Sequence, residues 1–208
     1  MRWLDFLFPP RTDEAVLRDI SIDDFLALMV PRLVPETRPG TVALLPFNNP
    51  LVRSAIHEAK YHGSERAFSF LATALSEYLC DADDVHTTRS NLVVLVPVPL
   101  GKERRKERGF NQVEEITNRA AHELDIAVNT TLLERTRETI SQVSLTRTLR
   151  ERNMKGAFEC PSKLEERSKA YTYILVDDVL TTGATLQAAI DALKGAGAKH
   201  IIPLALAH

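Results

Sequence analysis

Cysteine is nearly missing from this chain of 208 residues: Cys80 and Cys160 stand far apart and in unlike surroundings. That excludes a disulfide framework and a cysteine-rich zinc site, and it suits a reducing, cytoplasmic setting. No apolar run approaches the roughly 20 residues that a membrane-spanning helix requires. The apolar start, Met1 to Phe8, is interrupted by Asp5 and stopped by Pro9 and Pro10, too short for a signal peptide or a span. Trp3, Phe6 and Phe8 are therefore expected to pack on the body. Aromatic residues make up only 6%, thin for a surface that stacks bases. There is no internal repeat, no low-complexity tract and no G-x-x-x-x-G-K-[ST] loop, and Gly195-Ala196-Gly197 closes a helix rather than opening one.

What is present is the composition of an ordinary folded domain, 44% hydrophobic and 26% charged, with a length suited to one domain and a small appendage. The net charge is only -2, but it is unevenly spread. Residues 101–112 hold five basic side chains against two acidic ones, and residues 134–155 hold six against three. Two basic patches on an otherwise acidic chain suggest a polyanion handled at one place, although charge runs are more often solvated helix faces.

From about residue 41 the pattern alternates between strand and helix. Thr41 to Phe47 reads as a strand, and Leu51, Ala55, Ile56 and Ala59 then recur at helical spacing, as do Phe68, Leu71, Leu75 and Leu79. Leu92 to Val96 is a continuous aliphatic run of the kind buried on both faces of a parallel sheet, and Pro97 and Pro99 hand it over to a loop. Val113, Ile116, Ala120 and Leu124 mark another helix, Tyr173 to Val176 another strand, Leu186, Ala189, Ile190 and Leu193 another helix, and Ile201 to Leu206 a last strand. The expected fold is α/β, a doubly wound parallel sheet with flanking helices, whose ligands sit at the carboxyl ends of the strands.

The stretch Ile174 to Thr185, ILVDDVLTTGAT, carries the chemistry. Asp177 and Asp178 follow an aliphatic run and offer acceptor-only carboxylates suited to the vicinal hydroxyls of a ribose. Thr181, Thr182, Gly183, Ala184 and Thr185 make a small, hydroxyl-bearing turn that opens a helix, where backbone N–H groups and the helix dipole favour a phosphate. This run resembles the phosphoribosyl pyrophosphate (PRPP) motif of type I phosphoribosyltransferases. Val96 to Gln112, with its RGFNQ, resembles the ComF family of phosphoribosyltransferase-like proteins associated with competence and DNA uptake. Arg135, Gln142, Leu145, Arg150, Asn153, Gly156, Ala157 and Phe158 extend the match, and Ala59, Lys60, Tyr61 and Gly63 are similar too.

The resemblance covers roughly residues 41–208, read as a phosphoribosyltransferase-like domain behind an appendage of residues 1–40. Family members often carry an N-terminal zinc-binding region of paired C-x-x-C motifs, and this sequence has none. Instead Asp13 to Leu33 reads as one or two short helices, with Ser21 as an N-cap and Phe25, Leu26 and Met29 as a core face.

By resemblance, Asp177 and Asp178 would hold the ribose and stabilise a cationic transition state. Residues 181–185 would hold the 5-phosphate. A loop with Arg104, Arg105 and Arg108, oriented by Asn111 and Gln112, would grip pyrophosphate, and Gln142, Arg150 and Asn153 would belong to a closing flap. Mg²⁺ would accompany PRPP, and no zinc site of the protein's own is expected. His57 and His62, five apart, do not share a helix face, and Lys60 reads equally as a surface lysine or a residue reaching the site. Phe110 reads as core. The implied ligand is PRPP or a nucleotide, with an enzyme transferring phosphoribosyl to a nitrogenous acceptor set against a sensor or a single-stranded DNA binder, the latter with a competence helicase-type partner.

Overall fold

A computed structural model of the chain describes residues 11–81, 92–137 and 154–208. Trp3, Phe6 and Phe8 lie outside the described residues. The elements run α1 (Thr12–Arg18), α2 (Ile22–Leu26), β1 (Arg32–Val34), β2 (Thr41–Leu45), α3 (Pro50–His62), α4 (Glu65–Asp81) and β3 (Val93–Pro97). They continue with α5 (Lys102–Arg108), α6 (Gln112–Leu124), β4 (Ala127–Val128), β5 (Glu134–Arg135), β6 (Phe158–Glu159), β7 (Thr172–Val179), α7 (Ala184–Ala196) and β8 (His200–Ala207).

Six strands form one sheet in the order β1-β2-β8-β7-β3-β4, parallel except for the antiparallel edge strand β1. The aliphatic runs explain why helices cover both faces. Alternate side chains of one strand enter opposite cores, so Ile174 and Val176 pack beneath α3, α4 and α6 while Tyr173 and Leu175 pack against Leu186, Ala189, Ile190 and Leu193 of α7. Val93 and Leu95 divide from Val94 and Val96 in the same way.

Helix boundaries follow local chemistry. Asn49 caps α3 by accepting the Leu51 N–H, Pro50 takes the first helical position, and Gly63 ends the helix at φ 58°. Asn111 caps α6 through the Val113 N–H and donates to the Val98 carbonyl at 3.1 Å, pinning the end of the preceding loop to the strand it left. The basic run, expected to lie in a loop, is instead the two-turn helix α5, bounded by Gly101 and a left-handed Gly109. Its Lys, Glu and Arg residues have high helix propensity, and no apolar position was needed to form it. Strand β7 runs three residues past its apolar segment, because Asp177 and Val179 still pair with Ala205 and Ala207 of β8.

The N-terminal stretch shares the main core. Ser21 caps α2 as expected, by accepting the Asp24 N–H at 3.1 Å. Phe25 is fully buried and stacks on Phe70 of α4 at 4.8 Å, while Leu17 is 1% exposed. Arg66 of α4 donates to the Leu17 and Ile20 carbonyls, and β1 then adds an edge to β2. Removing the Phe25 ring leaves a cavity between α2 and α4. Phe25→Ala is expected to cost about 3–5 kcal/mol in a single cooperative urea transition; a loss below about 1 kcal/mol would mean that this stretch is not part of the folding unit.

Candidate functional site

The carboxyl end of β7 opens onto a cavity of about 470 Å³, within the range of small-molecule sites. Its walls come from several directions. Asp177, Asp178 and Val179 come from β7, Thr181 from the following turn and Thr185 from the first turn of α7. Lys60 and Tyr61 come from the end of α3, Arg104 and Arg108 from α5 with Gln112 at the start of α6, and Arg135 from β5. A narrow recess next to it is bounded by Asp177, Thr181, Gly183, Ala184 and Thr185.

Asp178 is the fixed point. Lys60 Nζ donates to its Oδ1 at 3.0 Å and Gln112 Nε2 donates to its Oδ2, so both oxygens are taken by side chains from different helices. The Asp178 side chain is 14% exposed and that of Lys60 21%, well removed from a surface ion pair. Burial alone would raise this carboxyl, but the charge and hydrogen bond of Lys60, with that of Gln112, hold it below the usual aspartate range. Asp177 has the opposite fate. Burial first, and the neighbouring Asp178 charge second, push it up to about 7. Its Oδ1 accepts the Asp178 N–H at 2.9 Å, and its other oxygen has no hydrogen-bond partner among the described residues.

The turn after β7 is closely backed by the N-terminal part of the chain. Gly183 sits at φ 72°, where a side chain is strained, and a Cβ there would come within 2.9 Å of the Glu36 carbonyl oxygen and of Thr37 Cγ2. The glycine thus lets the turn close against residues 36–37 before α7 begins. Thr181 and Thr185 line the cavity, and Thr182 does not. The Thr182 hydroxyl is buried with no hydrogen-bond partner among the described residues.

The remaining expected residues separate into groups. Arg108 lies over the Tyr61 ring at 4.8 Å and donates to Gln112 Oε1 at 3.0 Å, so it forms one wall with them. Arg104 lines the cavity, whereas Arg105 is turned to Glu114 at 2.8 Å and does not. Asn111 is buried beneath the loop as a cap. Phe110 packs on the main core, edge-on to Phe68 at 5.8 Å. Gln142, Arg150 and Asn153 lie outside the described residues.

Lys60 and Arg135 are the residues that reasoning from the sequence left undecided or unassigned. The A-K-Y-x-G pattern marked Lys60, but only the fold shows that the last turn of α3 faces β7. His57 and His62 correct the expectation made for them: their rings approach to 5.7 Å, and His62 Nε2 lies 3.9 Å from Glu58 Oε1.

Asp177 provides a pH test. Its ordinary value of 3.8 is raised to about 7, so between those limits the folded chain keeps a proton that the unfolded chain has lost. Stability contributed by the protonated form is complete at about pH 4 and falls as pH rises through about 7. The difference in unfolding free energy between the wild type and Asp177→Asn, from urea titrations at stepped pH, is expected to decline across that window and level off above it. A difference that stays constant would show that the carboxyl is not raised.

Comparisons with known proteins agree with this fold. The profile of the phosphoribosyl transferase domain family matches residues 105–208. The DNA utilization protein YhgH of Salmonella typhi is 39% identical over 92 residues, 44% of this chain and 39% of that protein. YhgH of Escherichia coli K12 is 35% identical over 141 residues, 66% of this chain and 58% of that protein. Competence protein F of Haemophilus influenzae is 32% identical over 126 residues, 60% of this chain and 54% of that protein. The matches thus span about two fifths to three fifths of these relatives' own length. Among the described residues no helix is long and apolar enough to cross a membrane. With an acidic pair, a glycine-bearing turn and a basic wall gathered at the carboxyl edge of a parallel sheet, the chain belongs to the phosphoribosyl transferase domain family, in its ComF branch.

Proposed function

We propose that this chain binds PRPP, or a nucleotide carrying ribose 5-phosphate, together with Mg²⁺, and transfers the phosphoribosyl group to a nitrogenous acceptor. The observation that carries the reading is the pairing of unlike aspartates beside the 181–185 turn, with Arg104, Arg108 and Arg135 lining the same cavity.

Ionised Asp178, kept so by Lys60, accepts a hydrogen bond from one ribose hydroxyl, and Asp177 takes the adjacent hydroxyl through its unoccupied oxygen. The N–H groups of the turn hold the 5-phosphate at the start of α7. The arginines hold the diphosphate on the anomeric carbon. As the bond from that carbon to the diphosphate oxygen breaks and the bond to the acceptor nitrogen forms, positive charge grows on the ribose. The Asp178 carboxylate, joined by Asp177 once it gives up its proton, would stabilise that charge, and the departing diphosphate keeps the electron pair. Holding the three groups in line supplies the rest. Mg²⁺, when bound, would supply neutralisation of the diphosphate charge, and Asp177, once deprotonated, would be the protein oxygen ligand that holds it.

A binding role without transfer is the second reading. It is favoured by the exposed lysines of α5, Lys102 and Lys106, and by the relatives named for DNA utilization and competence. Single-stranded DNA would then follow the basic face, with a competence helicase as the natural class of partner.

Calorimetric titration of PRPP with and without Mg²⁺, comparing the wild type with the Asp177→Asn, Asp178→Asn double variant, tests the site. Binding is expected in the wild type and loss of it in the variant, with the far-ultraviolet dichroism unchanged. Equal affinity in the two proteins would refute the site. Release of pyrophosphate from PRPP with any member of a base panel supports transfer. DNA affinity that falls steeply with salt and survives Asp178→Asn, without such release, supports the binding role.

A further inference from the structure

A second cluster of metal-ligating side chains lies at the end of α3, and none of its members lines the cavity at β7. One ligating atom from each of His57, Glu58 and His62 falls within 4.8 Å of the others. We propose that these residues bind a divalent transition metal ion of the Zn²⁺ class, through two imidazoles and one carboxylate. Such a donor set suits Zn²⁺ and its neighbours in the first transition row, in contrast to the all-oxygen environment that Mg²⁺ prefers.

The spacing is somewhat wider than a bound ion requires, by an amount that side-chain rotation can close. Bonds of about 2.0–2.2 Å at tetrahedral angles place two ligand atoms roughly 3.3–3.6 Å apart. Glu58 Oε1 and His62 Nε2 are 3.9 Å apart, too long for a hydrogen bond and short enough for small side-chain rotations to close on an ion. The Glu58 carboxylate is fully buried, so it needs compensation. Arg11 provides part of this, with Nε at 3.1 Å from Oε1 and Nη2 at 2.8 Å from Oε2. Each oxygen has two lone pairs, so capacity for a metal remains on Oε1. Arg11 is itself half exposed and can give way.

An independent feature points the same way. His57 Nδ1 faces Asp13 Oδ2 at 3.0 Å, and Asp13 is fixed in turn by the Ser54 hydroxyl, which donates to Oδ1 at 2.7 Å. A carboxylate behind one ring nitrogen is the outer shell that orients metal-binding histidines: it holds the proton on Nδ1 and leaves the Nε2 lone pair for the ion. The partial exposure of both imidazoles, 49% and 31%, gives the ion a way in. The fourth position would be water. A bound ion would tie α1, through Asp13, to the helix turn that carries Lys60 and Tyr61, with the Tyr61 ring already 4.8 Å from that of His57.

The test uses the full chain without an affinity tag, stripped of metal and titrated with Co²⁺, whose visible d–d bands report tetrahedral coordination. One equivalent is expected to bind and to be displaced by Zn²⁺. His57→Ala and His62→Ala, both at exposed positions, are each expected to weaken Co²⁺ binding by about 10-fold or more, and Asp13→Ala by about 10-fold. The Asp177→Asn, Asp178→Asn variant is expected to bind Co²⁺ like the wild type, which keeps this site distinct from the ribose-phosphate site. Absence of d–d bands, equal affinity in the His57→Ala, His62→Ala double variant, or loss of binding in the double aspartate variant would each overturn the proposal.

Discussion

Two carboxylates on consecutive residues at a strand end, both removed from bulk water, cannot be ionised together without a counter-charge, and Lys60 supplies only one. Its ammonium group, with the Gln112 amide, settles on Asp178 and leaves Asp177 to carry the unfavourable share of the charge. The asymmetry depends on three elements far apart in sequence: the end of α3, the start of α6 and the rim of β7. Each is held by its own local device, Gly63 for α3, Asn111 for α6 and the β8 ladder for β7. The pull of Lys60 and Arg135 on Asp177 thus does not offset its burial and the Asp178 charge, the condition under which hydroxyl donors or a cation are welcome beside it.

The sheet order explains why the groups meet. β7 lies between β3 and β8, and all three run parallel, so their carboxyl ends open on the same side. The chain leaving β7 makes the glycine turn, and the chain leaving β3 makes the basic helix α5. What looks in the sequence like two unrelated motifs, one acidic and one basic, becomes two neighbouring rims of one cleft. Ligands of doubly wound sheets collect at such edges for this reason.

Much of this was legible from residue order because its causes are local. The acidic couplet, the small hydroxyl-bearing turn and the aliphatic runs each reflect chemistry confined to a few residues, and the main strands and helices follow from periodicity. What escaped either has non-local causes or carries no periodic apolar signal. β1 is three residues long and exists because β2 offers it an edge. β4, β5 and β6 are two residues each, too short for any periodic signal. Helix α5 has no buried residue, so no apolar pattern could announce it. The partner of Lys60, and the place of Arg135 on the cavity wall, are facts of tertiary packing. The approach of His57 to His62 depends on side-chain placement, which ideal angular spacing does not capture.

The close approach at Gly183 links the two ends of the molecule. The Glu36 carbonyl and the Thr37 methyl form the back of the turn that opens α7, so the absence of a side chain at position 183 is enforced by a segment from the opposite end of the chain. The C-terminal strand, turn and helix are thus not a self-sufficient module. Grafted elsewhere without residues 36–37 behind them, they would keep their letters and lose the wall that gives the turn its shape.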